Sequence, residues 1–195
     1  MVGAIPLERA LTALGELLAA DGEAARLVAV GGAALRLLGL VDRTTTDVDV
    51  IARVSASSGR GVEHPEPLPE PVVRAAAAVA RDLGLPSDWL NTEIAAQWRT
   101  GLPPGLGDDL TWLRFGGPPG GLELGLVGRR TLVALKLFAA VDRGPRSVHF
   151  QDLRALAPTR SELADAAAWV RTQDESPVFG DMVDQVVDRT LESDD

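Results

Sequence analysis

Apolar residues recur at Leu7, Leu11, Leu14, Leu17 and Leu18, a spacing that gathers them on one side of a helix over residues 7–20. Gly22 breaks that pattern. Leu27-Val28-Ala29-Val30 is a continuous apolar run closed by Gly31-Gly32, as a buried strand followed by a turn should be. A short helix is expected over residues 33–38, stopped near Gly39. The pattern then changes period. Asp47-Val48-Asp49-Val50-Ile51 alternates polar and apolar, which predicts a strand with two unlike faces.

Residues 55–71 are rich in Ser, Gly and Pro and read as loop. Residues 72–83 are Ala-rich and helical in pattern, and a short helix is expected over 91–98. Two strands follow, over 110–115 and 122–127, separated by residues 116–121, which are glycine and proline only. From Arg129 onward the period is helical: 131–142, then 147–156 closed by Pro158. A third helix is opened by Thr159 with Glu162, the spacing of a capping box. A fourth begins at Pro177 and runs to about residue 191. The acidic tail from Glu192 to Asp195 is expected to fray. The chain therefore reads as an α/β (α+β) part, residues 1–128, followed by a C-terminal helical bundle, residues 129–195.

Composition narrows the chemistry. Of 195 residues, 46% are hydrophobic and none is cysteine, so a core is available but a thiolate nucleophile or cysteine-ligated zinc is not. Two histidines, His64 and His149, exclude a multi-histidine metal site. A metal here would sit on carboxylates, which suits magnesium or manganese. The opening MVGAIPLERALTALG lacks the basic start and apolar run of a signal peptide, and no stretch has the length and apolarity of a membrane span. A soluble cytoplasmic protein is expected. The net charge of −9 does not advertise a nucleic-acid partner, although Arg129, Arg130, Arg143, Arg146 and Arg154 form a local basic region where one would bind. There are eighteen arginines and one lysine, Lys136.

Asp47 and Asp49 are two apart on a predicted strand, so their carboxylates emerge on one face. Carboxylates that close repel unless a cation lies between them. The two glycines before them let a ligand approach the backbone, and the helix that follows presents amides suited to phosphate. Taken singly, a GG turn is common and a D-x-D at a strand edge is usually a solvated face. Lysine meets phosphate as a compact point charge that arginine does not copy, though one lysine on a helix is also ordinary surface charge.

Together these parts resemble the nucleotidyltransferase superfamily typified by polymerase beta, in which a GG or GS turn precedes a D-x-D or D-x-E strand. Fourteen residues separate Gly32 from Asp47, the long end of that family's range. The run GGAALRLLGLVDRTTTDVDV resembles the AbiEii and MenT-type toxin nucleotidyltransferases of bacteria. TLVALKLFAAVDRGPRSVHFQDL resembles their downstream signature, matching it at Lys136, Arg143 and Asp152. The stretch between, residues 55–121, carries only weak matches.

The resemblance implies a polymerase-beta-like mixed sheet flanked by helices. It implies Mg2+ (or Mn2+) on Asp47 and Asp49, with Lys136 and Asp152 completing the catalytic set. A nucleoside triphosphate would contact Gly31, Gly32, Arg43, Thr45, Thr46, Lys136 and Arg143. Lys136 would neutralise triphosphate charge, and Asp152 would either join the metal site or help deprotonate the acceptor. Glu123 lies where many such enzymes place a third metal carboxylate; a solvated strand residue is the favoured reading of it. The implied acceptor is a tRNA 3′ end and the implied partner a cognate antitoxin. A protein or small-molecule acceptor, or a non-catalytic nucleotide-binding module, are the alternatives. His149 is expected to have a capping or core role, and Trp89, Trp98, Trp112 and Trp169 are expected to be core or interface anchors.

Overall fold

The computed structural model describes residues 7–55 and 61–192. The readings of residues 1–6, 56–60 and 193–195 lie outside the described residues. A five-stranded mixed sheet with helices is followed by a C-terminal set of four helices. By internal contacts the chain divides into two units. The first lies within Met1–Arg99 and Gly107–Val127, the second within Thr100–Leu106 and Gly128–Asp195.

In the first unit, α1 (Leu7–Ala20) buries Leu7, Leu11, Leu14 and Leu18. It is followed by β1 (Ala24–Val30), α2 (Gly31–Leu37), β2 (Val48–Arg53) and α3 (Glu70–Leu83). Then come β3 (Leu90–Asn91), a 3-10 turn at Glu93–Ala96, the short α4 (Gln97–Thr100), β4 (Leu110–Phe115) and β5 (Gly121–Val127). The strand order is β3-β2-β1-β5-β4. β1 runs parallel to β5 and antiparallel to β2, β2 is parallel to β3, and β4 is antiparallel to β5. α1 packs on α3, β5 and β4. Leu27, Val28 and Ala29 of β1 with Leu122, Leu124 and Leu126 of β5 are fully or almost fully buried. That explains why residues 27–30 of β1 read as an apolar run.

The second unit contains α5 (Arg129–Arg143), α6 (Val148–Ala155), α7 (Arg160–Arg171) and α8 (Pro177–Leu191). α5 packs on all three others. Its buried residues include Leu132, Val133, Leu137, Ala140 and Val141. Phe138 meets Trp169 edge-on, with ring centroids 5.9 Å apart. The capping box of Thr159 and Glu162 is present at the start of α7.

Several elements depart from the sequence pattern: β2 begins at Val48, so Asp47 lies just before the strand and not on it, and α2 begins at Gly31. The expected helix over 91–98 is a two-residue strand, a 3-10 turn and the start of α4, because Leu90 and Asn91 pair with Val48 and Asp49. Tertiary pairing overrides weak local preference here. β1 begins three residues earlier than the apolar run, at Ala24, because its ladder with β5 extends back to Ala24 opposite Gly121. Among the described residues, no helix is long and apolar enough to cross a membrane.

Candidate functional site

The sheet brings the GG turn and the D-x-D segment together through an irregularity in one ladder. Val28 faces Ala52, but the next residue, Ala29, faces Val50, and Val30 faces Asp49. Ile51 is therefore an extra residue on β2, a β-bulge. Without it, Val50 would stand opposite Val30. Bulges re-aim side chains in this way. The carbonyl of Ile51 accepts a hydrogen bond from Trp98 Nε1 at 2.6 Å, so the residue that interrupts the ladder keeps a polar partner.

Asp49 then lies beside Gly31. Gly31 has φ +70°, and a methyl group at its Cα would run into Asp49 Oδ2. Only glycine meets both conditions without strain. Its neighbour Gly32 faces Arg43 and Thr45: a methyl there would come within 2.9 Å of an Arg43 guanidinium nitrogen and 3.1 Å of Thr45 Oγ1. Thr45 Oγ1 donates to Asp47 Oδ1 at 2.6 Å. Asp47 is exposed and immediately precedes β2, while Asp49 is half-buried within it. Thr46 is exposed between them and Thr45. Gly31, Gly32, Arg43, Thr45, Asp47 and Asp49 thus form one constellation in the first unit.

The donor set fits a hard divalent cation. Two carboxylates with access to solvent are what magnesium takes from a protein, the remaining positions being filled by water and phosphate oxygens. Among the described residues, no group of three or more His, Cys, Asp or Glu is arranged to hold a metal. Glu123 is engaged elsewhere. Its two oxygens meet Arg26 Nε at 2.7 Å and Arg114 at 2.5 Å, both in direct register across the flanking strands. Arg26 also covers the Trp112 ring at 4.5 Å. Arg26 is four residues before Val30, about 13 Å along the strand from the level of Asp49.

Lys136 and Asp152 form a second constellation, in the other unit. Lys136 Nζ donates to Asp152 Oδ2 at 2.7 Å. Both residues are buried, at 4% and 2% exposure. Lys136 is therefore not a surface charge. Removing one member of such a pair strands the other in a low-dielectric interior, at a cost of about 3–5 kcal/mol. Arg143 lies at the end of α5 and pairs with Asp142 at 3.0 Å, both largely exposed. The local basic region is neutralised in part: Arg129 pairs with Glu162 at 2.6 Å and Arg130 with Asp165 at 2.8 Å. The Arg129 guanidinium, then the Thr159 backbone N–H, hold the Glu162 carboxyl at about 2, down from an ordinary 4.5. Trp89 and Trp169 are core residues.

Two contributors were not evident in the sequence. Asn91 Nδ2 donates to Asp49 Oδ1 at 3.3 Å, and Trp98 holds the bulge. Both sit in the segment whose pattern reads as helix; the two-residue strand pairing brings Asn91 to β2, and the 3-10 turn that packs on β2 precedes Trp98. Comparison with known proteins returned no match: no family model, no curated protein and no solved structure matches the chain.

Proposed function

We propose that this chain is a magnesium-dependent nucleotidyltransferase with a polymerase-beta-like fold. It would move a nucleotide from a nucleoside triphosphate to an acceptor hydroxyl, as the toxin of a toxin–antitoxin pair acting on tRNA 3′ ends. The observation that carries the reading is the register that sets Asp49 against Gly31, at the end of the strand Asp47 introduces. A glycine pair, an arginine and two carboxylates in one constellation are the juxtaposition that supports this chemistry.

Asp47 and Asp49 would hold the cation, which when bound supplies Lewis-acid stabilisation of charge on the departing pyrophosphate. Thr45 orients the Asp47 carboxylate. Gly31 and Gly32 admit the triphosphate, with Arg43 beside them as a fixed positive charge. The acceptor oxygen forms its bond to the α-phosphorus as the bond to pyrophosphate breaks, and its proton passes to a carboxylate. Lys136 and Asp152, which the resemblance adds to the catalytic set, are bonded to each other and buried in the second unit. Because the pair is buried, activity lost on truncating Lys136 would first report folding; Asp47, exposed, gives the cleaner test.

The test is to incubate the protein with labelled nucleoside triphosphates, magnesium and total tRNA. Wild type should transfer label to RNA, and Asp47→Ala should lower transfer by at least 100-fold. No transfer by wild type, or equal transfer by the variant, sinks the assignment. A second reading, with a protein or small-molecule acceptor, is favoured by one observation: Arg129, Arg130 and Arg143 each have an acidic partner, which weakens the basic region for RNA. Label on protein or small molecule and not on RNA would decide for it.

A further inference from the structure

We infer that Asn91 is a positioning residue for Asp49, presetting the carboxylate that would take the cation; the inference rests on the metal-binding reading above. The amide has a fixed sense. Asn91 Oδ1 accepts from the Glu93 backbone N–H at 3.1 Å, so Nδ2, the donor end, is left to face Asp49 Oδ1 at 3.3 Å. Reversing the amide would set an oxygen against a carboxylate and strand the Glu93 N–H at the start of the 3-10 turn, so both bonds select one orientation.

The segment that carries Asn91 is also held by bonds that do not involve the Asp49 carboxylate. Asn91 stands in register with Asp49 on the β2–β3 ladder. Trp89, two residues earlier, accepts from Val48 N at 2.6 Å and is pinned by its indole N–H to the Ala76 carbonyl at 3.1 Å. Asp49 is thus bracketed by Asn91 on one oxygen and by Gly31 against the other. At 3.3 Å the bond is long. It fixes the rotation of the carboxylate more than it neutralises it. Support of this kind for a metal ligand typically contributes 10- to 100-fold in metal affinity or activity.

The experiment compares wild type, Asn91→Ala and Thr92→Ala. Each is titrated with Mn2+ alone, with free ion followed by electron paramagnetic resonance. The magnesium dependence of label transfer is measured in parallel. Asn91→Ala should bind Mn2+ about 10- to 100-fold more weakly. It should also need correspondingly more Mg2+ for half-maximal transfer, and saturating Mg2+ should restore transfer to near the wild-type rate. A loss that is merely structural would appear as a lowered melting temperature of the metal-free Asn91→Ala chain, which is measured alongside and should match wild type. Thr92→Ala, which loses the exposed bond from Thr92 Oγ1 to Glu66 Oε1 and none to Asp49, should bind Mn2+ as wild type does. Wild-type affinity in Asn91→Ala, or an equal loss in Thr92→Ala, overturns the inference and leaves the nucleotidyltransferase reading standing. A wild type that neither binds Mn2+ nor transfers label fails the reading itself, and the inference with it.

Discussion

Gly31 carries two demands that any other residue would fail. Its φ of +70° costs a side-chain-bearing residue about 1–2 kcal/mol, and its Cα faces the Asp49 carboxylate. Gly31→Ala should therefore lower stability by about that amount in urea denaturation. It should also turn Asp49 away from its present position, so that Mn2+ no longer stabilises the fold. Glu162 is a separate case, in the second unit. Its carboxyl is held at about 2, down from 4.5, so its contribution is complete above pH 4.5 and fades as pH falls toward 2. Glu162→Gln should cost about 1 kcal/mol at pH 7, the usual worth of a helix cap. The gap between variant and wild type should close on acidification across that window, as melts at successive pH values would show. Thr159 and Glu162 were legible in the sequence because a capping box is a local device, four residues long.

Elements that depend on distant partners were less legible. β4 and β5 follow their apolar patterns closely, and so do the helices of the second unit. β3 does not, because two residues carry no periodicity and owe their conformation to Val48 and Asp49 across the ladder. The bulge at Ile51 was invisible for the same reason: an alternating strand reads alike whether or not one residue is left over. Its cost is local and measurable. Trp98→Phe keeps an aromatic side chain, though a smaller one, and deletes the donor to the Ile51 carbonyl, which should lower stability by about 1–2 kcal/mol. It should weaken Mn2+ binding as well, since the bulge selects Asp49 over Val50 as the neighbour of Val30. Unchanged Mn2+ affinity in Trp98→Phe would show that the ladder keeps this register without its indole.

At the scale of the whole chain, the candidate residues fall into two sets. The glycines, Arg43, Thr45 and the two aspartates belong to the first unit, and Lys136, Arg143 and Asp152 to the second. The motif spacing showed both sets but not the state of Lys136, whose burial depends on how α5 and α6 pack. Hydrogen exchange separates their roles. A mixture of nucleoside triphosphates with Mg2+ should slow exchange across Gly31–Leu37 and Val48–Arg53, and also along Arg129–Arg143 if Lys136 serves the same nucleotide. Protection confined to the first unit would remove Lys136 and Asp152 from the catalytic set.

The solitary lysine also makes the second unit report on itself. Its ε-amine is buried and bonded to Asp152, and acylating reagents attack only a free amine. In native buffer, acylation at position 136 can proceed only through excursions that open the α5–α6 contact, and no other side-chain amine competes for the reagent. Peptide mass spectrometry of the modified chain over time would therefore read the opening free energy of that helix pair directly, without a probe being engineered in.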